Sequence, residues 1–187
     1  MCDYQCHKIQ IFDSEGNFLS TFGSEGEGDG QFKNPNRIYV DLNDNIYVFT
    51  DHNRIQIFDS EGKYISRIIL EENGNSFLKM AINSKGNVIS CDNNNHRIQI
   101  FDPQGKFLST FGSKGSGNGQ LHGPYQICVD TNDNILVCDS FNNRIQIFDS
   151  NGEYISQFKA NYPTDITIDP RTLNIIVCES GVTVSIF

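Results

Sequence analysis

An all-β fold of tandem four-stranded antiparallel sheets is what the sequence predicts, and three observations predict it. One hexapeptide recurs: Lys8-Ile-Gln-Ile-Phe-Asp13 returns at Arg54–Asp59, Arg97–Asp102 and Arg144–Asp149. Its Phe stands at 12, 58, 101 and 148, spacings of 46, 43 and 47, and a degenerate copy, Thr183–Phe187, ends 39 residues later. Within each copy the side chains alternate, with Ile9/Ile11, Ile55/Ile57, Ile98/Ile100 and Ile145/Ile147 flanking Gln, as a half-buried strand requires. That period of two excludes a helical solenoid. Turn formers punctuate the rest: 16 Gly, and Asn in runs such as Asn93-Asn94-Asn95.

The period from Pro35 to Phe77 holds four predicted strands, Arg37–Asp41, Asn45–Thr50, Arg54–Phe58 and Tyr64–Leu70. Leu42-Asn43-Asp44 and Asp59-Ser60-Glu61-Gly62 between them have hairpin-turn composition. Each hexapeptide is followed by a Gly turn and an apolar segment: Gly16-Asn-Phe-Leu19, Gly62-Lys-Tyr-Ile65, Gly105-Lys-Phe-Leu108 and Gly152-Glu-Tyr-Ile155. Four antiparallel strands per ~40–45 residues, in tandem, describe a β-propeller blade. One domain, 1–187, is expected, with a partial blade 1–34, blades at about 35–77, 78–120 and 121–160, and a partial blade 161–187. Met1–Ile9 matches Val137–Ile145 without a gap, so the chain should begin near the end of a second strand and finish in a third. That makes 17 strands, or about four and a half blades. A piece of a larger ring is expected over closure in four blades, where Thr183–Phe187 would compete with Lys8–Phe12.

Composition narrows function. Fourteen Lys and Arg against 23 Asp and Glu give a net charge of −9, which disfavours generic nucleic-acid affinity. No run of 18 apolar residues exists to span a membrane, and Met1-Cys2-Asp3-Tyr4-Gln5 is neither basic nor apolar enough for a signal peptide. A cytoplasmic location is expected, and reduced cysteines with it.

Candidate chemistry is sparse. Cys2, Cys91, Cys138 and Cys178 share one repeat slot, a blade apart and too far for disulfides, and read as small buried thiols. Cys6 and Cys128 lack zinc-site spacing. Asp92/Arg97 and Asp139/Arg144 flank the loop between second and third strands; the acids should organise that loop rather than form a carboxylate ring. Asp41-x-Asn43-x-Asn45 and Asp130-x-Asn132-x-Asn134 look like calcium loops but lack the later Gly and Glu, so they read as turns. The Gly-rich stretches 23–30 and 112–119 have no Lys-Ser/Thr ending and read as flexible connections between blades. His7, His52 and His96 fall in corresponding loops but form no His-x-x-x-His pair, and no Gly-x-Ser-x-Gly elbow occurs. No metal and no cofactor are expected.

One resemblance is specific. Gly-Ser-x-Gly-x-Gly-x-Gly-Gln-(Phe/Leu), a Pro, an apolar-x-Val-Asp strand, Asn-Ile-x-Val-x-Asp, Asn-x-Arg-Ile-Gln-Ile-Phe-Asp and Gly-Lys-Phe-Leu together resemble the NHL repeat, best at Gly23–Leu70 and Gly112–Ile155. The resemblance implies a propeller, commonly six-bladed, like the C-terminal domain of tripartite-motif ubiquitin ligases. It implies a non-catalytic scaffold that recruits a protein partner or ubiquitination substrate, with RNA binding as one alternative and a metal-dependent lyase-like enzyme as another. Neither a membrane nor a small-molecule substrate is expected. Two loop sets should converge at one mouth of a propeller. Asn36-Arg37, Tyr125-Gln126 and Thr164-Asp165 lead into first strands; His52-Asn53, Asn94-Asn95-His96 and Phe141-Asn142-Asn143 join second to third strands. The expected contacts are Arg37, Tyr125 and Phe141, with Gln126, Asn142 and His96 supplying hydrogen bonds.

Overall fold

The computed structural model of the protein describes residues 2–3, 6–41, 43–50, 54–69, 79–180 and 183–186. It forms two compact units, residues 1–73 with 102–106, and residues 74–101 with 107–187. The first unit holds an antiparallel sheet of β1 (Cys2–Asp3), β2 (Lys8–Phe12) and β3 (Phe18–Phe22). A short parallel pair follows, β4 (Ser24–Glu25) and β5 (Gln31–Phe32), then a sheet of β6 (Arg37–Val40), β7 (Ile46–Thr50), β8 (Arg54–Phe58) and β9 (Tyr64–Ile69). The second unit holds three sheets. They are β10 (Met80–Ile82), β11 (Val88–Asp92), β12 (Arg97–Phe101) and β13 (Phe107–Phe111); β14 (Pro124–Val129), β15 (Ile135–Asp139), β16 (Arg144–Phe148) and β17 (Tyr154–Lys159); and β18 (Pro163–Ile168), β19 (Ile175–Glu179) and β20 (Thr183–Ile186).

Every one of these sheets is an antiparallel meander in chain order, the expected propeller blade. The blade sheets contain one strand more than the 17 expected, because Cys2 and Asp3 pair with Ile9 and Lys8. The strand expected at Arg37–Asp41 stops at Val40: the Asp41 N–H donates to Asn45 O (3.1 Å), closing the turn. Leu70 lies outside the described residues.

The hairpins between third and fourth strands are built alike. In each, an Asp carboxylate accepts from the backbone N–H groups two and four residues on, at 2.8–3.0 Å, at Asp13, Asp59, Asp102 and Asp149. A bulge follows every time, between Ile11/Phe12, Ile57/Phe58, Ile100/Phe101 and Ile147/Phe148. The extra residue is Leu19, Ile65, Leu108 or Ile155, and all four are exposed. The bulge lets the flanking aromatics meet: Phe58 with Tyr64 at 6.0 Å and Phe148 with Tyr154 at 6.4 Å, both edge-on.

The core lies between sheets. Ile9, Phe32, Ile46, Val48 and Phe58 pack in the first unit. In the second, Ile89, Cys91, Ile98, Ile100, Ile127, Ile135, Val137 and Phe148 join the first two sheets. Leu136, Cys138, Ile145, Ile166 and Val177 join the second and third. Complete burial of a side chain such as Phe148 contributes about 1.5–3 kcal/mol. Cys91 and Cys138 are buried thiols, and burial pushes both well above the ordinary thiol range. Cys178, in the same slot, is exposed, against the sequence expectation. Among the described residues no sheet packs over the outward face of β18–β20.

Candidate functional site

The site rests on a loop that the sequence misrepresents. The Gly-rich stretch before β14 reads as flexible, yet it is pinned. Arg144 donates through Nη1 to Ser116 O (2.9 Å) and through Nη2 to Gly117 O (2.9 Å) and Gln120 O (2.8 Å). Its Nε reaches Asp139 Oδ2 at 2.6 Å, with the carboxylate fully buried. Gln146 completes the clip: Nε2 donates to Gln120 O (2.6 Å), and Oε1 accepts from the Gly119 N–H (3.0 Å). In the first unit Arg54 and Gln56 hold residues 27–31 the same way. The polar residues of the hexapeptide therefore serve to anchor the preceding connection.

A second device repeats beside it. Asn34, Gly123 and Tyr162 each precede a first-strand Pro and each has positive φ (49°, 64° and 45°). Their N–H groups donate to His7 Nδ1 (3.2 Å), His96 Nδ1 (3.1 Å) and Asn143 Oδ1 (2.9 Å), residues that are themselves left-handed. An accepting Nδ1 carries no proton, so His7 and His96 are neutral capping residues. Burial, with Lys114 and His122 adding to it, holds His96 below the ordinary imidazole range.

This framework sets four rings side by side in the second unit. His96 meets His122 at 5.4 Å, His122 meets Phe141 at 5.1 Å, and Phe141 meets Tyr162 at 5.6 Å. Phe141 sits in a 3-10 turn (Ser140–Asn142), where its N–H donates to His122 O (3.2 Å), and is 54% exposed. Its ring lies against Gly123, where a Cβ would come within 2.3 Å of it, so a glycine is required there. Tyr162 occupies a left-handed slot unfavourable to a bulky residue, held by its bond to Asn143. Toward β14, Tyr125 is 45% exposed beneath Lys79 Nζ (5.5 Å from the ring centroid), and Gln126 Nε2 donates to Asp165 Oδ1 (2.8 Å).

The structure thus brings Phe141 and His96 into one cluster through His122, and places Tyr125 and Gln126 on the first strand that follows Gly123. Asn142 is engaged internally, donating to Gly115 O (2.8 Å) and Asp139 Oδ2 (2.9 Å). Arg37 lies on β6, half-buried, in the other unit. His52 and Asn53 lie outside the described residues. The sequence reading missed His122, Tyr162 and Lys79; a bulky or aromatic residue at or beside the position before a first-strand Pro was the available signal.

Other candidates dissolve into architecture. Asp92 accepts from Asn95 and pairs with Arg97 (2.7 Å); Asp41 and Asp130 accept from their own turns. Burial pushes the Cys128 thiol up to about 12. Among the described residues no three His, Cys, Asp or Glu side chains are gathered to hold a metal ion, and no helix is long and apolar enough to cross a membrane.

No protein of curated function matches the sequence. Solved structures do match the fold. Catalytically inactive virginiamycin B lyase from Staphylococcus aureus, crystallised with quinupristin, superimposes with a TM-score of 0.69 at 18% identity, over 99% of this chain and 64% of that one. Selenomethionine-substituted virginiamycin B lyase from the same organism gives 0.67 at 19% identity, over 99% and 64%. A streptogramin B lyase gives 0.65 at 18% identity, over 98% and 62%. The chain thus spans somewhat under two thirds of these structures. They correct the expectation that this fold signals a non-catalytic scaffold: a lyase is built on the same blades, so the sheets alone are no argument against a reaction centre. A family profile described as 6-bladed beta-propeller matches residues 2–84 and 79–161, and the chain belongs to that family.

Proposed function

We propose that this chain is a partner-binding propeller segment whose contact surface is the ring cluster of His122, Phe141 and Tyr162 with the neighbouring Tyr125 and Gln126, and that its ligand is a protein segment. The observation that carries the reading is Phe141: a large apolar side chain, more than half exposed, yet fixed between two other rings. Exposed aromatic side chains held in place by their surroundings give contact area at low entropic cost. Gln126, Asp165 and Lys79 offer hydrogen bonds and charge at the edge of that surface. The net charge of −9 favours a polypeptide over RNA. Recruitment of a ubiquitination substrate, the setting the NHL-type repeat implies, is supported by that motif alone.

Selection of a random peptide library on the immobilised chain tests the reading. Enriched peptides should lose at least about tenfold in affinity on Phe141→Ala or Tyr125→Ala. Peptides that bind both variants as tightly as the parent would refute it, as would salt-sensitive, submicromolar binding of pooled RNA at ~150 mM salt.

A further inference from the structure

A second surface, on the opposite end of the same sheets, is independent of that reading. Because β14 and β15 are antiparallel, the β14–β15 turn lies at the end away from Phe141. There a cavity of about 380 Å³ opens between the second unit's middle and last sheets, lined by Leu136, Ile147, Ile155, Ile168, Leu173 and Ile175.

The repeat identifies what fits it. One sheet earlier, the corresponding residues are Ile89, Ile100, Val129 and Ile135, and they pack around Phe148 and Tyr154, the aromatic pair of the β16–β17 hairpin. Their counterparts in the next interface, Leu136, Ile147, Ile168 and Ile175, all line the cavity. By register Phe187, outside the described residues, stands at the Phe148 position, and the Tyr154 position has no counterpart in residues 1–187. The neighbouring strand position is equally marked. In every other sheet the third strand pairs with a fourth, whose sequence is Phe18-Leu-Ser-Thr-Phe22, Tyr64-Ile-Ser-Arg-Ile68, Phe107-Leu-Ser-Thr-Phe111 or Tyr154-Ile-Ser-Gln-Phe158. Among the described residues β20 pairs with β19 alone.

We infer that β20 and this cavity form a docking site for an added antiparallel strand of the pattern Gly-x-(Tyr/Phe)-(Ile/Leu)-Ser. The aromatic ring enters the cavity, and the strand's backbone pairs with the open edge of β20. The occupant is a segment of this repeat type, because its aromatic is the group that the homologous seat already holds.

A fluorescein-labelled synthetic peptide with the sequence of residues 150–159, titrated into the whole chain and read by anisotropy, tests this. Saturable binding is expected, weakened tenfold or more when the peptide carries Tyr154→Ala and when the protein carries Leu173→Asn. Leu173 sits in an exposed turn at φ 61°, where Asn is readily accommodated, so the fold is kept. Ile155→Trp, which fills the cavity from its rim, should also abolish binding, with thermal unfolding as its folding control. Absence of binding, equal binding of the two peptides, or binding indifferent to Leu173→Asn would each overturn the inference. An anilinonaphthalene sulfonate signal that the peptide fails to displace would overturn it too, pointing to a small-molecule cavity.

Discussion

Arg144→Ala is the most demanding prediction, because a single side chain closes both the buried ion pair and the Gly-rich connection. The guanidinium is 9% exposed and Asp139 fully buried. Removing it strands the carboxylate, which keeps only Asn142, Gln146 and the His122 N–H, and takes donors from Ser116, Gly117 and Gln120. Breaking a buried pair from one side costs about 3–5 kcal/mol. Arg97 supplies the internal control: the same slot, but 35% exposed, with only its Nε bond to Asp92 recorded. Water can replace that contact, so Arg97→Ala should cost about 1 kcal/mol. With an m-value near 2 kcal/mol/M in urea, the two variants should move the midpoint by about 2 M and about 0.5 M. The chain has no Trp, so circular dichroism is the suitable readout. Arg144→Lys should recover only part of the loss, since an ammonium cannot span carboxylate and three carbonyls at once. If Arg144→Ala proved no costlier than Arg97→Ala, the pinning argument would fail.

Other predictions follow from the same geometry. Gly152→Ala should destabilise by about 1–3 kcal/mol, because φ is +88° and a Cβ would lie 2.4 Å from Phe111; Gly16→Ala, with open space at +87°, should cost only about 1 kcal/mol by thermal melts. His96 titrates below its unfolded value, so the unfolded chain takes up a proton first and stability should fall as pH drops below about 6.5; His96→Asn should remove that part of the slope in urea titrations. Asp13, Asp149 and Asp169 are held low by turn hydrogen bonds, so their contribution is present above the ordinary carboxylate range and lost as pH falls through it, a loss that acid unfolding of Asp→Ala variants would detect. Iodoacetamide mapping should modify Cys6 and Cys178 in the folded chain, and Cys91 and Cys138 only after unfolding.

The sheets were legible because their signal is local. An Ile-x-Ile alternation marks a buried face without reference to any partner, and an Asp followed by Gly marks the hairpin. What stayed hidden depends on contacts across distance. Gln146 reads as the polar half of an alternation, yet it is buried because a loop 26 residues earlier folds back onto it. The Gly-rich loop reads as slack for the same reason: its restraint comes from Arg144, not from its own residues. Cys178 shares a slot with Cys138 and differs only in what packs on it. Of the candidate site, Phe141 and Tyr125 were found by residue type and position, whereas His122 and Tyr162 required the left-handed turn before Pro to be seen in place.

The repeat also separates architecture from function. A position filled alike in every sheet, such as the Asp of the hairpin or the Arg of the hexapeptide, answers a demand that every sheet makes. A position that varies is released from that demand. Tyr125 stands where Asn36 and Thr164 stand, Gln126 where Arg37 and Asp165 stand, and Phe141 where Asn94 stands. The blade does not need an aromatic at any of these places, and an exposed ring has no burial to gain from folding. Tyr162 sharpens the point, since the equivalent turns use Asn34 and Gly123, residues that adopt positive φ at little cost. A bulky residue in that conformation works against folding. Its edge-on contact with Phe141 ties that cost to the cluster itself, and the cluster is therefore the part of the surface whose composition the fold alone does not explain.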